Sequence, residues 1–189
     1  MKSVLISIQP KWCDLIAYGE KTIEVRKTRP KIETPFKCYI YQTKAKQVEH
    51  CDGCDITYYG NGKVIGEFVC DRIYSFIFLS TDGGNADRRR QYYLIGENDK
   101  IIRKFWRESC IQPEELAQYI DQEESCYGWH ISDLKIYDKL KELREFSYPC
   151  PDKNYDTCFG CKYFYHDETE MCCKKEAVRP PQSWCYVEE

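Results

Sequence analysis

The 189-residue chain has no apolar run longer than the six residues 74–79, and Ser75 interrupts even that one. A helix that crosses a bilayer needs about 20 consecutive apolar residues, so no membrane helix is expected. Residues 1–6 carry a single lysine, and no small-residue cleavage site follows their apolar run. That lacks the pattern of an export signal, and a cytoplasmic setting is the expectation. Internal repeats and low-complexity segments are also missing. Net charge is close to balance, with 28 Lys and Arg against 31 Asp and Glu, giving −3. Such a balance argues against a chain dominated by nonspecific nucleic-acid binding. With 42% hydrophobic and 31% charged residues, a disordered chain is excluded, and the length suits one domain with a small appendage.

What the chain does have is cysteine. Thirteen is a number typical of secreted disulfide scaffolds, but it is odd and comes without an export signal. Seven lie within the first 126 residues and six between Cys150 and Cys185, which marks the tail as a separate module. Charge is uneven as well. Residues 1–50 carry a net +5 and residues 97–145 a net −4. A basic first third on an acidic body reads either as a local anion-binding face or as an ordinary lysine-rich surface.

Hydrophobic periodicity gives a mixed α+β order. Residues 3–8 read as a buried strand, Pro10 opens a short helix, and Gly19 stops it. Residues 21–26 alternate, with Thr22, Glu24 and Arg26 on one face and Ile23 and Val25 on the other. A strand over 37–43 follows, then a polar excursion over 44–62, then strands over 63–73 and 74–79. Residues 86–108 read as largely helical with a break near Gly96, and Pro113 starts a further helix to residue 120. Residues 126–137 form a strand, 140–146 a short turn or helix, and 183–187 a final strand.

The most informative segment is Gly19, Lys21, Glu24 and Arg26 after a short helix, a G-x-K-x-x-E-x-R pattern. Here the chain resembles the ASCH family, a branch of the PUA-like superfamily. The runs 64–68, 128–137 and 180–189 extend that likeness to small phage- and prophage-type ASCH proteins of Gram-positive bacteria. The resemblance implies a PUA-like β-barrel with flanking helices, formed by residues 1–146. It implies a cleft beside the first helix and an RNA, modified nucleoside or nucleotide as ligand. Gln9, Lys11, Trp12, Lys21, Glu24, Arg26 and Tyr41 are the candidate binding residues. Arg26 can fork onto phosphate or a base edge, Lys21 offers a point charge, and Trp12 or Tyr41 a stacking face. The plainer readings are an ion pair between Glu24 and Arg26 at the surface or barrel mouth, and a core role for Trp12.

An enzyme is the alternative. Some ASCH proteins are amidohydrolases of N4-acetylcytidine that use Lys, Thr and Glu, and others resemble ribonucleases. Lys21 matches the amidohydrolase lysine, but Glu24 stands where that threonine is expected. A desolvated Lys21 acting as base or nucleophile, with Glu24 as general base, would be the route. His130 on a strand is a candidate acid/base or, more simply, a satisfied strand histidine. The run Arg88, Arg89, Arg90 is a candidate phosphate grip or a solvated helical face.

Residues 147–189 read as a cysteine-rich zinc-binding extension whose last strand, 183–187, packs back on the barrel. Cys150, Cys158, Cys161 and Cys173 have the spacing of a tetrahedral structural zinc site, with Cys172 interchangeable with Cys173 and His166 in reserve. The segment has too little apolar content to fold alone, so a metal staple makes physical sense. Cys185 is read as core. His50, Cys51 and Cys54, with Cys38 or Cys70 near, are a weaker second metal candidate.

Overall fold

The computed structural model describes residues 3–51, 53–81, 91–120, 125–149, 164–166, 171–173 and 175–188. The chain divides into two compact units, each discontinuous in sequence. The first takes Met1–Cys13, Lys37–Phe68 and Lys135–Glu189, and the second Asp14–Phe36 and Val69–Leu134.

In the first unit, β1 (Ser3–Ile8) runs parallel to β3 (Phe36–Gln42) and antiparallel to β13 (Trp184–Val187). All six residues of β1 are buried, which explains why its sequence is an apolar run rather than an alternation. The hydrogen-bonded order continues from β3 to β6 (Val64–Thr81) and then to β8 (Ser125–Lys141). Leu5, Tyr39, Tyr41, Val64, Phe146, Ala177 and Val187 form the core of this unit. Phe146 follows a 3-10 turn, Leu143–Glu145, and sets its ring edge-on to Tyr39 at 4.7 Å. The excursion expected over 44–62 is a β-hairpin, β4 (Lys46–Cys51) with β5 (Cys54–Tyr59). The tail adds β9 (Ser147–Tyr148) paired with β12 (Lys175–Glu176), and β10 (Phe164–His166) paired with β11 (Met171–Cys173).

The second unit is built on the distal part of β6 and the proximal part of β8. There β2 (Ile23–Arg26) is antiparallel to β8, and β7 (Gln91–Ile95) is antiparallel to β6. Helices α2 (Asp99–Ser109) and α3 (Pro113–Ile120) complete it. Asn98 caps α2 by accepting from the Ile101 amide at 3.0 Å, and Cys110 ends it in the left-handed conformation. The buried residues Phe105 and Ser109 stand one turn apart on α2, as do Leu116 and Ile120 on α3. Phe105 packs its ring, tilted by 51°, against Phe76 of β6 at 4.5 Å, and Trp129 of β8 meets Phe36 edge-on at 5.8 Å.

Several expectations are corrected. The strands read over 63–73 and 74–79 are one 18-residue strand. Residues 91–95, read as helix, are strand β7, because Tyr93 and Ile95 pair with Leu79 and Ile77 across a ladder no local pattern reveals. Among the described residues the main sheet runs in the order β13, β1, β3, β6, β8, β2, with β7 beside β6. What stands is a mixed α+β fold rich in strands, with three α-helices among the described residues. None of those helices is long and apolar enough to cross a membrane.

Candidate functional site

Helix α1 (Pro10–Ala17) leads into the segment that carries the motif. Gly19 adopts a left-handed φ of +76°, which lets the amides of Glu20 and Lys21 turn back onto the Leu15 carbonyl at 2.9 and 3.1 Å. The chain is then stitched to the end of α2. The Thr22 amide donates to the Glu108 carbonyl at 2.9 Å, and the Thr22 hydroxyl donates to the Glu108 carboxylate at 2.9 Å. The Cys110 thiol donates to the Glu20 carbonyl at 3.4 Å.

This stitching buries three charged side chains together. Lys21 keeps 3% of its surface exposed, Glu24 5% and Arg26 6%. The Lys21 ammonium donates to the Ser109 carbonyl at 2.6 Å, so it caps the negative end of α2. Glu24 is held between two cations. Its Oε1 lies 2.9 Å from Arg26 Nη2, and its Oε2 lies 3.5 Å from Lys21 Nζ. Tyr119 of α3 adds a hydroxyl on Arg26, and burial raises its pKa. Burial also dominates Lys21 and lowers its pKa, while the Glu24 carboxylate acts in the opposite sense. Two buried oxygens here, Glu24 Oε2 and Ser109 Oγ, make no hydrogen bond to the described residues. The alternation that put Glu24 and Arg26 on one face of β2 holds, but that face is interior: all four residues of β2 are buried.

The remaining binding candidates fall in the first unit. The Lys11 amide donates to Gln47 Oε1 at 3.1 Å, and Gln47 Nε2 donates to Gln9 Oε1 at 2.7 Å. Lys11 Nζ pairs with Glu49 at 2.9 Å and also lies 4.6 Å from the centre of the Trp12 ring. Glu49 accepts from the Tyr58 hydroxyl, and with Lys11 this holds its carboxyl below the usual range. Tyr41 is 5% exposed within the core. Thus Lys21, Glu24 and Arg26 converge in the second unit, whereas Gln9, Lys11, Trp12 and Tyr41 belong to the first.

His130 sits beside Asp71 in the second unit, Nδ1 to Oδ1 at 2.6 Å. Arg88, Arg89 and Arg90 lie outside the described residues. So do Cys150, Cys158 and Cys161 of the expected zinc set, while Cys173 lies on β11 opposite Phe164. Among the described residues no group of three or more His, Cys, Asp or Glu side chains is placed to hold a metal. In the hairpin, His50 faces Asp55 and Cys51 faces Cys54 in register. Ser109 and Tyr119 escaped sequence reading altogether: they lie far along the chain from Lys21, and nothing in their local pattern marks them.

Among solved structures, the chain resembles the crystal structure of ASCH from Zymomonas mobilis. The TM-score is 0.54 at 15% identity, with 99% of this chain and 88% of that one covered. The chain has the ASCH fold. A substituted form of the Zymomonas protein aligns at a TM-score of 0.51 and 16% identity, covering 100% of this chain and 92% of its own. No family model matches the sequence, and no curated protein matches it either. At that identity the likeness to the solved structures is one of fold.

Proposed function

We propose that this chain binds RNA or a modified nucleotide, with Lys21, Glu24 and Arg26 as the floor of the site. The observation that carries the reading is the burial of Lys21, Glu24 and Arg26 in one cluster beside Ser109 Oγ, a buried hydroxyl that makes no hydrogen bond to the described residues. Leaving that hydroxyl unsatisfied costs about 1–3 kcal/mol, and a ligand that presents N–H and carbonyl groups recovers that cost. A base edge is such a ligand. Glu24 Oε2 accepts from an amino or imino group, Ser109 Oγ donates or accepts, and the two cations favour a carbonyl or phosphate oxygen. The ASCH fold agrees with this reading.

A second reading is a hydrolase acting on a modified nucleoside, or a ribonuclease. The lowered pKa of Lys21 favours it, because burial increases the share of neutral amine available as base or nucleophile. A screen of RNA and modified nucleosides for both binding and turnover separates the two. Binding without product, lost in Ser109→Ala and Glu24→Gln proteins that still fold, supports the first reading. Product formation abolished by Lys21→Ala supports the second. Affinity indifferent to all three substitutions would discard the cluster as the site.

A further inference from the structure

Residues 76–79 of β6, Phe-Ile-Phe-Leu, are apolar at every position. A strand with one face in water alternates apolar with polar residues, so such a run asks for cover on both faces. Among the described residues only one face has it. Phe76 and Phe78 are buried, and Phe76 packs against Phe105 of α2. The opposite face presents Ile77 and Leu79, with Ile95 and Tyr93 directly across the β6–β7 ladder. Each of these four side chains is between 36% and 50% exposed. Together they leave roughly 400 Å² of apolar surface in water, a size at which patches are often functional. The face is not flat. Beside Ile77 and Ile95 it dips into a cavity of about 730 Å³, lined also by Ile73, Ser75, Glu97 and Tyr127. The connection between the two strands has little to cover it with: residues 82–90, Asp-Gly-Gly-Asn-Ala-Asp-Arg-Arg-Arg, contain one apolar side chain, Ala86.

A ridge and a hollow on one face make that face complementary to itself. A two-fold axis at the Ile77–Ile95 pair, perpendicular to the strands, lays β6 on β6 and β7 on β7 with their directions reversed. Leu79 and Ser75 lie two residues either side of Ile77, and Tyr93 and Glu97 two residues either side of Ile95. Each is therefore about 7 Å from the axis. The rotation sets Leu79 over Ser75 of the partner subunit and Tyr93 over Glu97 of the partner subunit. Glu97 pairs with no cation among the described residues, and the Tyr93 hydroxyl is a donor of the right reach for it. We propose that the chain forms a symmetric dimer through this face, with the Leu79–Tyr93 ridge of each copy seated in the cavity of the other. The four side chains supply about half of the roughly 800 Å² per partner that a standard interface covers, and the cavity walls supply the rest. The dimer stands whether or not the Lys21 cluster binds RNA.

Sedimentation velocity of the full chain from about 1 to 500 μM is expected to show a monomer–dimer equilibrium with a micromolar constant. Leu79→Glu and Ile95→Asp place charge on exposed positions of the face. Each is expected to keep the circular dichroism spectrum and to weaken association by more than about a hundredfold. Arg103→Glu, exposed on α2, leaves association unchanged. Tyr93→Phe and Glu97→Gln remove the same hydrogen bond, so each weakens the dimer about tenfold and the double variant loses no more. A chain that stays monomeric at about 500 μM overturns the proposal and leaves the face to a different protein. A dimer indifferent to Leu79→Glu and Ile95→Asp also overturns it, since the interface then lies elsewhere. Losses that add in full for Tyr93→Phe and Glu97→Gln overturn the seating of the ridge in the cavity. Should Leu79→Glu or Ile95→Asp fail to fold, these two conservative variants decide.

Discussion

The ammonium of Lys21 reaches the carbonyl of Ser109, the last residue of α2, at 2.6 Å. One side chain thereby ends a helix and supplies the cation nearest Glu24 Oε2. Structural and chemical roles meet in a single buried amine, and substitutions around it distinguish them.

Glu24 is the only member of the cluster whose removal leaves two buried cations facing each other. Glu24→Gln is expected to destabilise the fold by about 3–5 kcal/mol, since breaking a buried pair strands the opposite charge. Lys21→Met leaves the Glu24–Arg26 pair at 2.9 Å intact and loses the bond to Ser109 and the longer, 3.5 Å contact with Glu24, about 1–3 kcal/mol. Urea unfolding of both variants checks the order. Equal losses, or a larger loss for Lys21→Met, would show that the carboxylate is not the hinge of the cluster.

The alkaline pH dependence of stability carries two opposing contributions. Burial lowers Lys21 below the ordinary 10.5, so the unfolded chain holds that proton more tightly than the folded one. Stability from this group therefore rises with pH between its lowered folded value and 10.5. Burial pushes the thiols of Cys70 and Cys126 up to about 12 and that of Cys185 to about 11, from 9.0. Their contribution is present below pH 9 and is lost as pH climbs through those folded values. The difference between the unsubstituted chain and Lys21→Met cancels the thiols. It is expected to favour the unsubstituted chain increasingly as pH rises from the lowered folded value towards 10.5. A flat difference curve would mean that Lys21 keeps its ordinary affinity for the proton.

Thiol reactivity should divide along burial. Cys54, exposed in the β4–β5 hairpin, is expected to react with an aromatic disulfide reagent at neutral pH well before the buried Cys13, Cys38, Cys70 and Cys126. Cys70 and Cys126, each fully buried, should react only at the rate of unfolding. Mass mapping of partly modified protein reads the order directly, and early labelling of Cys126 contradicts the packing around it.

The zinc assignment of the tail rests on spacing. We propose that freshly purified, reduced protein holds one zinc ion through Cys150, Cys158, Cys161 and Cys173. Elemental analysis is expected to give about one equivalent, falling to nearly none in Cys158→Ser with Cys161→Ser. Metal-free reduced protein with an unchanged thermal transition would refute the ligand set.

Local chemistry made part of this molecule legible in its sequence. Pro10 and Gly19 delimit α1 to within two residues, because a fixed φ at one end and a left-handed turn at the other are properties of the residues themselves. Alternation put Glu24 and Arg26 on one face of β2, with Lys21 next to them in the motif. The apolar run of residues 3–8 announced a strand covered on both sides. Tertiary structure decided what those elements face. Strand β7 and the unbroken length of β6 depend on pairing partners more than ten residues distant, and hydrogen bonds to a partner strand leave no local trace. That the polar face of β2 is interior follows from packing beneath α2 and α3, not from its alternation. Only that packing brings Ser109 and Tyr119 to Lys21 and Arg26, and only the resulting loss of water lowers the pKa of Lys21. The motif therefore names the charges, whereas the dielectric around them is a property of the folded chain.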